Sequence, residues 1–516
     1  MTNLSAQYRA VALSTLAFTI CFAAWMINGV LVAFLVDKGV YAWNVDQVGW
    51  LIGIPVLTGA VLRLPIGVLT DKYGGRIVFT VLMLLSAVPM YLVSYANTYY
   101  DFMLTGLGFG LSGASFAVGV AYVSLWFRRD QQGTVLGLFG LGNAGAALTS
   151  IGAPIVLAMV TDQGANLDGW RALPKLYAVA LVVTAVIFFL LAPTKMVEQS
   201  QKRTFVERLA PLRNVRVWRF GFYYFFAFGS FVGLSMWLIA YYVNVYSMSV
   251  TTAGMIAAFF SLPAGLVRAV GGWLSDRTGA RVLMYFVLGT SLVCMVLLFV
   301  PRMEVSVAGE GVTAKRPGTV TAVSTGETVI GQDVYKLRQV ENIRGLHNDR
   351  GELLLVFPIV SSLQEPMVRV GDEVAKGQLI ARGVTHVYFQ ANVWIFTGLV
   401  FIVGMLLGVG TAAIFKHVAD YFPTNVGLVG GLVGVLGALG GFFSPIIFGY
   451  LLRLTGIWTV TWMFLAFVAL ACLVWMHLVV RSVERNKTTA PFRRIEEAVT
   501  KDSFANEPVM DYRHAD

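Results

Sequence analysis

Two arginines, Arg63 and Arg268, lie inside long apolar stretches that carry almost no other charge. Each stands eight residues before an aspartate, Asp71 or Asp276, near the end of its stretch. At about 1.5 Å of helical rise per residue, each arginine is ~12 Å inside that end. An arginine at the centre of a membrane-spanning helix costs about 2.5–3.5 kcal/mol on insertion scales. Because this cost is present twice, at related positions, we predict that both arginines have a function.

The counter-charge for these arginines is not evident within the chain. No aspartate or glutamate lies at a matching depth in any apolar stretch. We therefore expect a bound anion to supply the negative charge, and a planar oxyanion suits the guanidinium because two N–H groups can meet two oxygens in one plane. The alternative is structural, with each arginine donating to backbone carbonyls where helices pack.

Two glycine-rich segments could bring helices close to such an anion. They read GTVLGLFGLGNAG from Gly133 and GLVGGLVGVLGALGG from Gly427. Small residues at three- and four-residue spacing allow close helix packing, and packing alone could explain the glycines. Asn143 differs, because an amide can donate a hydrogen bond to an anion without adding charge. The repeat-related position is Gly437, so we expect one amide and one bare backbone at the site.

The composition indicates which elements must position these residues. The chain has 516 residues, of which 57% are hydrophobic and 13% charged, and its mean hydropathy is +0.72. Soluble domains carry about 25% charged residues, so we predict an all-α polytopic membrane protein whose spans each cross about 30 Å of hydrocarbon. The twelve predicted spans are 10–36, 48–70, 77–95, 99–127, 133–160, 171–193, 217–246, 251–274, 281–300, 391–416, 425–453 and 458–480.

The net charge of +10 is concentrated in short loops, which is the positive-inside pattern and not a sign of nucleic-acid binding. The basic loop between the sixth and seventh spans is therefore expected in the cytoplasm, together with both termini. The expected location is the cell's inner (plasma) membrane, as a multi-pass protein. The three cysteines lie in apolar spans without metal-ligand spacing, so we expect no metal and no cofactor.

Internal repeats divide the spans into two halves. RLPIGVLTDKYGGR begins at Arg63, and RAVGGWLSDRTGAR begins 205 positions later at Arg268. The glycines of the two glycine-rich segments match at a separation of 294 positions, so the second half has gained about 89 residues. These glycines are Gly133, Gly137 and Gly140 in the first half, and Gly427, Gly431 and Gly434 in the second.

The loop motifs at the ends of the arginine-bearing spans suggest a gate. We expect the aspartates to pair with loop arginines or to cap neighbouring helix ends, and so to latch the cytoplasmic gate in one state. A topology signal is the alternative. The residues are Gly67, Asp71 and Arg76 in the first motif, and Asp276 and Arg281 in the second.

Residues 302–389 account for the extra length and differ in character. Glycines separate short β-branched runs, which predicts a small β-domain between spans nine and ten, on the external face. VRVGDEVAKGQLIARG, from Val368, and KRPGTVTAV, from Lys315, resemble the two halves of a biotinyl/lipoyl-type barrel-sandwich fold. Lys336 lacks the flanking residues of a carrier lysine, so we expect no attached cofactor. We expect a small non-enzymatic domain that docks or partly covers the outer mouth; the alternative is an ordered insertion without a transport role, and its partner is unknown.

The predicted organisation follows from these boundaries. It comprises an N-terminal six-helix bundle (1–194), a cytoplasmic linker (195–216), the first part of the C-terminal bundle (217–301), the β insert (302–389), the second part of that bundle (390–481) and a cytoplasmic tail (482–516).

These features together resemble the nitrate/nitrite porter family of the major facilitator superfamily. The resemblance rests on the paired arginines and on the segments GLFGLGNAG and GVLGALGGFF. It implies the major facilitator fold, transport without chemistry on the substrate, and a nitrate between the arginines with aromatic rings nearby. The aromatic positions that match are Phe116 and Tyr224.

Several functional alternatives remain at this point. The spans offer no carboxylate at the depth of the arginines, which favours nitrate/nitrite exchange over proton-coupled nitrate symport. A carrier of another small anion is the nearest rival. A membrane enzyme subunit with a lipoyl-type carrier domain and a receptor with an external sensor domain are rivals from other classes. We expect a monomeric transporter that is not an enzyme.

Overall fold

The computed structural model describes residues 4–127, 132–195, 209–300, 303–324, 326–338, 346–347, 353–354, 359–389, 392–422 and 426–487. Most of the predicted linker and tail therefore lies outside the described residues. In the part that is described, eleven helical segments are long and apolar enough to cross a membrane, and one helix pair bent by 40° makes a twelfth. The predicted major facilitator architecture of twelve spans with a β insert is confirmed.

The spans are named TM1 to TM12 in chain order. Their helices are TM1 (Leu4–Trp25 and Ile27–Asp37), TM2 (Val45–Val61 and Arg63–Tyr73), TM3 (Gly75–Leu92), TM4 (Tyr99–Phe109 and Ser115–Ser124), TM5 (Gln132–Gly140 and Gly145–Val160), TM6 (Ala172–Leu191), TM7 (Val215–Tyr224 and Ser230–Tyr246), TM8 (Val250–Thr278), TM9 (Ala280–Leu297), TM10 (Val393–Tyr421), TM11 (Val426–Thr455) and TM12 (Val460–Lys487). Several helices extend beyond the predicted limits, because hydropathy marks only the apolar part of a helix whose polar ends project past the hydrocarbon.

Several spans are irregular near their middle. TM2 bends at Leu62, directly before Arg63. TM4 and TM5 each contain a short 3₁₀ turn, at Gly110–Ala114 and Leu141–Ala144. TM7 contains a π-helical turn at Phe225–Gly229. Such interruptions of regular helix are frequent at functional sites.

The described residues of the insert form nine strands that pair among themselves. The strands are β1 (Met303–Thr313), β2 (Gly318–Val323), β3 (Glu327–Ile330), β4 (Asp333–Lys336), β5 (Leu346–His347), β6 (Leu353–Leu354), β7 (Ile359–Pro366), β8 (Glu373–Val374) and β9 (Leu379–Phe389). They form three antiparallel sheets, in the orders β1-β9-β7, β4-β3-β2-β8 and β5-β6. A small apolar core, which includes Val320, Ile330 and Ile380, lies within the insert. The insert thus has its own core, as expected of a small domain.

The two halves of the bundle meet closely at one end. We call the end where TM1 begins and TM12 ends the terminal side, and the opposite end the insert side. A Cβ atom added to Gly49 would lie 2.5 Å from the carbonyl oxygen of Pro445, and one added to Gly53 would lie 2.7 Å from that of Phe442. TM2 and TM11 are therefore in backbone contact on the insert side.

The other inter-half pairs are equally close on the insert side. A Cβ on Gly29 of TM1 would lie 2.6 Å from Cα of Met236 in TM7. Gly254 of TM8 packs in the same way against the backbone of Ser150 in TM5. Arg453 of TM11 also forms an ion pair with Asp46 of TM2, at 3.1 Å. The halves are therefore closed against each other at the insert side.

Candidate anion site

Arg63 lies at the bend of TM2 and is 4% exposed. Its Nη1 donates to the carbonyl oxygen of Gly434 in TM11 at 2.9 Å, and its Nε donates to that of Gly113 in TM4 at 3.4 Å. The bond to Gly434 crosses between the halves. The structural alternative of donation to backbone carbonyls is thus realised in part for Arg63, because its guanidinium has five N–H groups and these bonds use two of them.

Arg268 occupies the related position in TM8 and is half-buried. Its Cδ lies 3.6 Å from the Cβ position of Gly140 in TM5. Its buried Nη1 has no hydrogen-bond partner among the described residues. A buried guanidinium N–H without an acceptor is costly, so this donor is well suited to an anion.

The phenyl ring of Phe116 in TM4 lies close to both arginines. Cζ of Arg63 is 5.7 Å from the ring centre, and Cζ of Arg268 is 5.4 Å from it. Both distances are within the range of a cation–π contact. The structure therefore brings the two predicted arginines and Phe116 together in one site.

Aromatic side chains that the sequence did not single out complete the surroundings. Cζ of Arg63 lies 5.4 Å from the ring centre of Phe228 and 5.7 Å from that of Trp25. Cζ of Arg268 lies 5.7 Å from the ring centre of Phe415. Trp25 ends the first helix of TM1 and Phe228 lies in the π turn, but no spacing in the sequence marks these rings.

Tyr224 joins this aromatic group. Its ring is stacked on Phe228, with centres 5.1 Å apart, and lies edge-on to Phe415 at 5.2 Å. The ring also covers the face of Gly437 from which a Cβ would project. Gly437 was expected to offer bare backbone to the anion, but in the structure it provides space for the Tyr224 ring.

Asn143 lies in the 3₁₀ turn of TM5 and is 3% exposed. It packs against TM8, where a Cβ on Gly265 would lie 3.7 Å from Cβ of Asn143. Gly265 and Arg268 are three residues apart and therefore share a helix face. Oδ1 of Asn143 has no partner in the described part of the chain. With the amide in the opposite orientation its NH₂ group would occupy that position and could donate.

Four repeat-related glycines lie one helical turn from the site, towards the terminal side. A Cβ added to any of them would meet no atom within 4 Å. Each of these glycines is three or four residues from Arg63, Arg268, Gly140 or Gly434 on the same helix, and therefore lies on the same face of that helix. On the terminal side of the site, these helix faces therefore border open space. The glycines are Gly67 in TM2, Gly137 in TM5, Gly272 in TM8 and Gly431 in TM11. The site is therefore open towards the terminal side and closed towards the insert side.

The loop motifs make contacts within their own halves in this structure, and their predicted role as a latch of the cytoplasmic gate stays a prediction. Arg76 donates to the carbonyl oxygen of Phe189 and to Thr194 within the first half. Arg281 donates to Tyr421, and Asp276 pairs with Lys416 at 3.2 Å, both within the second half. These residues tie helices of one half together, because the helices that surround each loop belong to its own half.

Asp71 lies exposed in the last turn of TM2. Among the described residues, no cluster of three or more His, Cys, Asp or Glu side chains could hold a metal ion. The site therefore consists of guanidinium groups, aromatic rings, one amide and close glycine backbone. Such a set can bind and desolvate a small anion.

Comparisons with known proteins agree with this architecture. The sequence model of the Major Facilitator Superfamily matches residues 13–309 and 378–512, so the unmatched segment lies within the β insert. The computed fold is similar to a solved bacterial homologue of the human lysosomal transporter Spinster, with a TM-score of 0.60 and 12% identity over 92% of this chain and 97% of that one.

Curated relatives narrow the assignment. A probable nitrate/nitrite antiporter, NarK1, of Thermus thermophilus is 38% identical over 92% of each chain. The nitrite extrusion protein of Bacillus subtilis is 28% identical over 58% of this chain and 73% of its own. A probable nitrate/nitrite transporter, NarK2, of Mycobacterium tuberculosis is 31% identical over 59% of this chain and 75% of its own. This chain therefore belongs to the major facilitator superfamily and, within it, to the nitrate/nitrite porters.

Proposed function

We propose that this protein exchanges nitrate and nitrite across the plasma membrane by alternating access, with the anion bound between Arg63 and Arg268. The observation that carries the proposal is that the guanidinium groups of Arg63 and Arg268 both lie within about 6 Å of the centre of one ring, Phe116, at 5.7 and 5.4 Å, and that the buried Nη1 of Arg268 has no hydrogen-bond partner among the described residues. The relatives named as nitrate and nitrite transporters supply the substrate class.

Each proposed ligand has a distinct role. The arginines supply positive charge and planar donors, which match the trigonal oxygens of nitrate. Asn143 supplies a neutral donor beside Arg268. Phe116 and Tyr224 form apolar walls that exclude water, and exclusion of water strengthens the attraction between the anion and the guanidiniums.

The closed insert side and the open terminal side define one state of the cycle. Rocking of the two six-helix halves about the site would open the insert side and close the terminal side. The positive-inside pattern predicts that both termini are cytoplasmic, and with that orientation this state would face inward. The halves comprise residues 1–194 and residues 217–301 with 390–481, and we propose that the monomer is the transporting unit.

Exchange is favoured over proton symport by the charges at the site. No carboxylate contacts either arginine within the described residues. An empty site would hold two guanidiniums without a counter-charge in a low-dielectric environment, which disfavours passage of the empty carrier through an occluded state. Return with a second anion avoids this penalty.

Counterflow in proteoliposomes tests the function. Vesicles loaded with nitrite should accumulate labelled nitrate from outside, whereas vesicles loaded with chloride should not. If loading with nitrite gave no more uptake than loading with chloride, nitrate/nitrite exchange would be wrong.

A second measurement separates exchange from symport. Vesicles without internal anion substrate receive an inward pH gradient, and we expect little nitrate uptake. Strong uptake that a protonophore abolishes would establish proton symport instead.

A further inference from the structure

A second cationic pocket lies inside the C-terminal half, away from the central site. It is lined by residues from TM7, TM9, TM10 and TM12 at the terminal side. Arg219 is in the first turns of TM7, Arg281 is at the start of TM9, and Tyr421 is the last residue of TM10. Because all three lie at helix ends, the pocket is at the level where phospholipid headgroups meet the hydrocarbon.

This pocket is separate from the anion site between Arg63 and Arg268. Tyr223 lines the pocket, whereas the next residue, Tyr224, stacks on Phe228 at the central site. Consecutive helical residues point about 100° apart around the axis, so TM7 presents one tyrosine to each site.

The pocket contains polar groups without partners. Oη of Tyr223 and Nε2 of His417 are buried and have no hydrogen-bond partner among the described residues. The two residues are 1% and 7% exposed. The His417 ring is held by stacking on Phe220, with centres 5.5 Å apart and planes at 12°. Buried polar groups of this kind normally have a partner, which here indicates a missing ligand or water.

Positive charge surrounds these unpartnered groups. Cζ of Arg219 lies 5.1 Å from the Phe220 ring centre, and Arg281 donates to Oη of Tyr421 at 3.2 Å. The described residues that line the pocket include no carboxylate. The nearby carboxylates of Asp276 and Asp420 both pair with Lys416, at 3.2 and 3.3 Å.

We propose that this pocket binds a phosphate-class oxyanion, from either a lipid headgroup or free phosphate. The polar groups that line the pocket come from three different helices, TM7, TM9 and TM10, which suits a tetrahedral group with several oxygens better than a planar one. Arg219 and Arg281 supply charge, and the Tyr223 hydroxyl supplies a neutral donor. The bound phosphate ties TM7, TM9 and TM10 together at the terminal side of one half.

Thermal unfolding of the full protein in detergent tests the free-phosphate source. Saturating nitrate fills the central site, and inorganic phosphate is titrated against chloride at matched ionic strength. We expect a saturable rise in Tm of about 2 °C or more for the wild type. The double variant Arg219→Gln/Arg281→Gln should lose the rise. Tyr223→Phe, which keeps the ring, should raise the half-maximal phosphate concentration about tenfold.

Native mass spectrometry tests the lipid source. Protein released from membranes that contain phosphatidylglycerol should retain one phospholipid in the wild type and none in the double variant. The control is Arg277→Gln in the last turn of TM8. This arginine contacts Trp273 and does not line the pocket, so the variant should behave as wild type in both experiments. A response in either experiment identifies the source of the phosphate. If the wild type and both pocket variants were indistinguishable in both, the proposal would be overturned.

Discussion

Arg63 forms one of the contacts that join the two halves at the depth of the site. Two different nitrogens of its guanidinium donate to Gly434 in TM11 and to Gly113 in TM4, and a lysine keeps the charge but has a single nitrogen, which cannot reproduce this spacing of donors. A lysine in place of Arg268 likewise lacks the planar set of donors that the guanidinium of Arg268 provides at the buried end of its side chain. At the residue scale, the shape of the guanidinium therefore matters as much as its charge.

We expect Arg63→Lys and Arg268→Lys each to lower nitrate transport at least about tenfold, because a hydrogen bond to a charged group contributes about 1.5–3 kcal/mol. Labelled nitrate uptake per mole of reconstituted protein is the measurement, with size-exclusion chromatography as the check on folding. Arg277→Lys, in the exposed last turn of TM8, is the matched control. Transport at the wild-type rate in either site variant would contradict the paired-arginine site.

Gly437 provides a second prediction at this scale. A methyl group at this position would overlap the Tyr224 ring, whereas one on Gly431 of the same helix would meet nothing within 4 Å. Gly437→Ala should therefore lower the free energy of unfolding by about 1–3 kcal/mol, as overpacking does, and displace Tyr224 from the site. Gly431→Ala should be neutral or stabilising, since alanine is the better helix former. Thermal unfolding of the two variants side by side is decisive, and equal Tm values would refute the prediction.

At the scale of elements, paired helices decide which side of the membrane has access to the site. TM1 with TM7, TM2 with TM11 and TM5 with TM8 are in backbone contact on the insert side through glycines. One ion pair, Asp46 with Arg453, bridges TM2 and TM11 at this end, and both side chains are partly exposed. The glycine contacts define the closed interface, and the ion pair adds a smaller bias towards closure.

We expect Asp46→Asn to shift the population towards the state open on the insert side. An exposed ion pair contributes about 0.2–1 kcal/mol, so the ratio of the two states should change about 1.4- to 5-fold. Spin labels at positions 38 and 457, on opposite halves of the insert side, would report the change as a longer distance. The charge reversal Asp46→Arg with Arg453→Asp should restore the wild-type distribution. Identical distributions in wild type and Asp46→Asn would exclude a latch.

The whole molecule combines a complete transporter core with an inserted β-domain. Strands β1 and β9 pair antiparallel, with Met303 opposite Phe389 at the base of the insert. Opposed residues in such a pair have Cα atoms about 4.5–5.5 Å apart. The two ends of the insert are therefore adjacent in space, and the insert can be removed without separating TM9 from TM10.

Deletion of residues 302–388 with a short linker should leave the preference for nitrate over chloride unchanged. The reason is that the arginines and the rings around them all lie on the spans. Competition of unlabelled anions against labelled nitrate in proteoliposomes measures the preference. A folded deletion protein that accepts chloride as well as nitrate would show that the insert contributes to the site.

The sequence by itself determined the number of spans, the division into halves, the position of the insert and the paired arginines. It could do so because the length of an apolar stretch and the charges within it are local properties of the chain. The repeat could be found because matching residues of the two halves lie at constant separations in the sequence. These features did not require knowledge of which helices are neighbours.

Only the tertiary structure decided what surrounds the arginines. One acceptor of Arg63 is the carbonyl oxygen of Gly434, 371 positions away, and the rings of Trp25, Phe228 and Phe415 come from three different spans. The role of Gly437 as space for Tyr224, and the closure of the insert side, likewise arise from packing between the halves. Such contacts depend on the relative rotation and crossing of helices that are distant in the chain, and a hydropathy pattern contains no information about them.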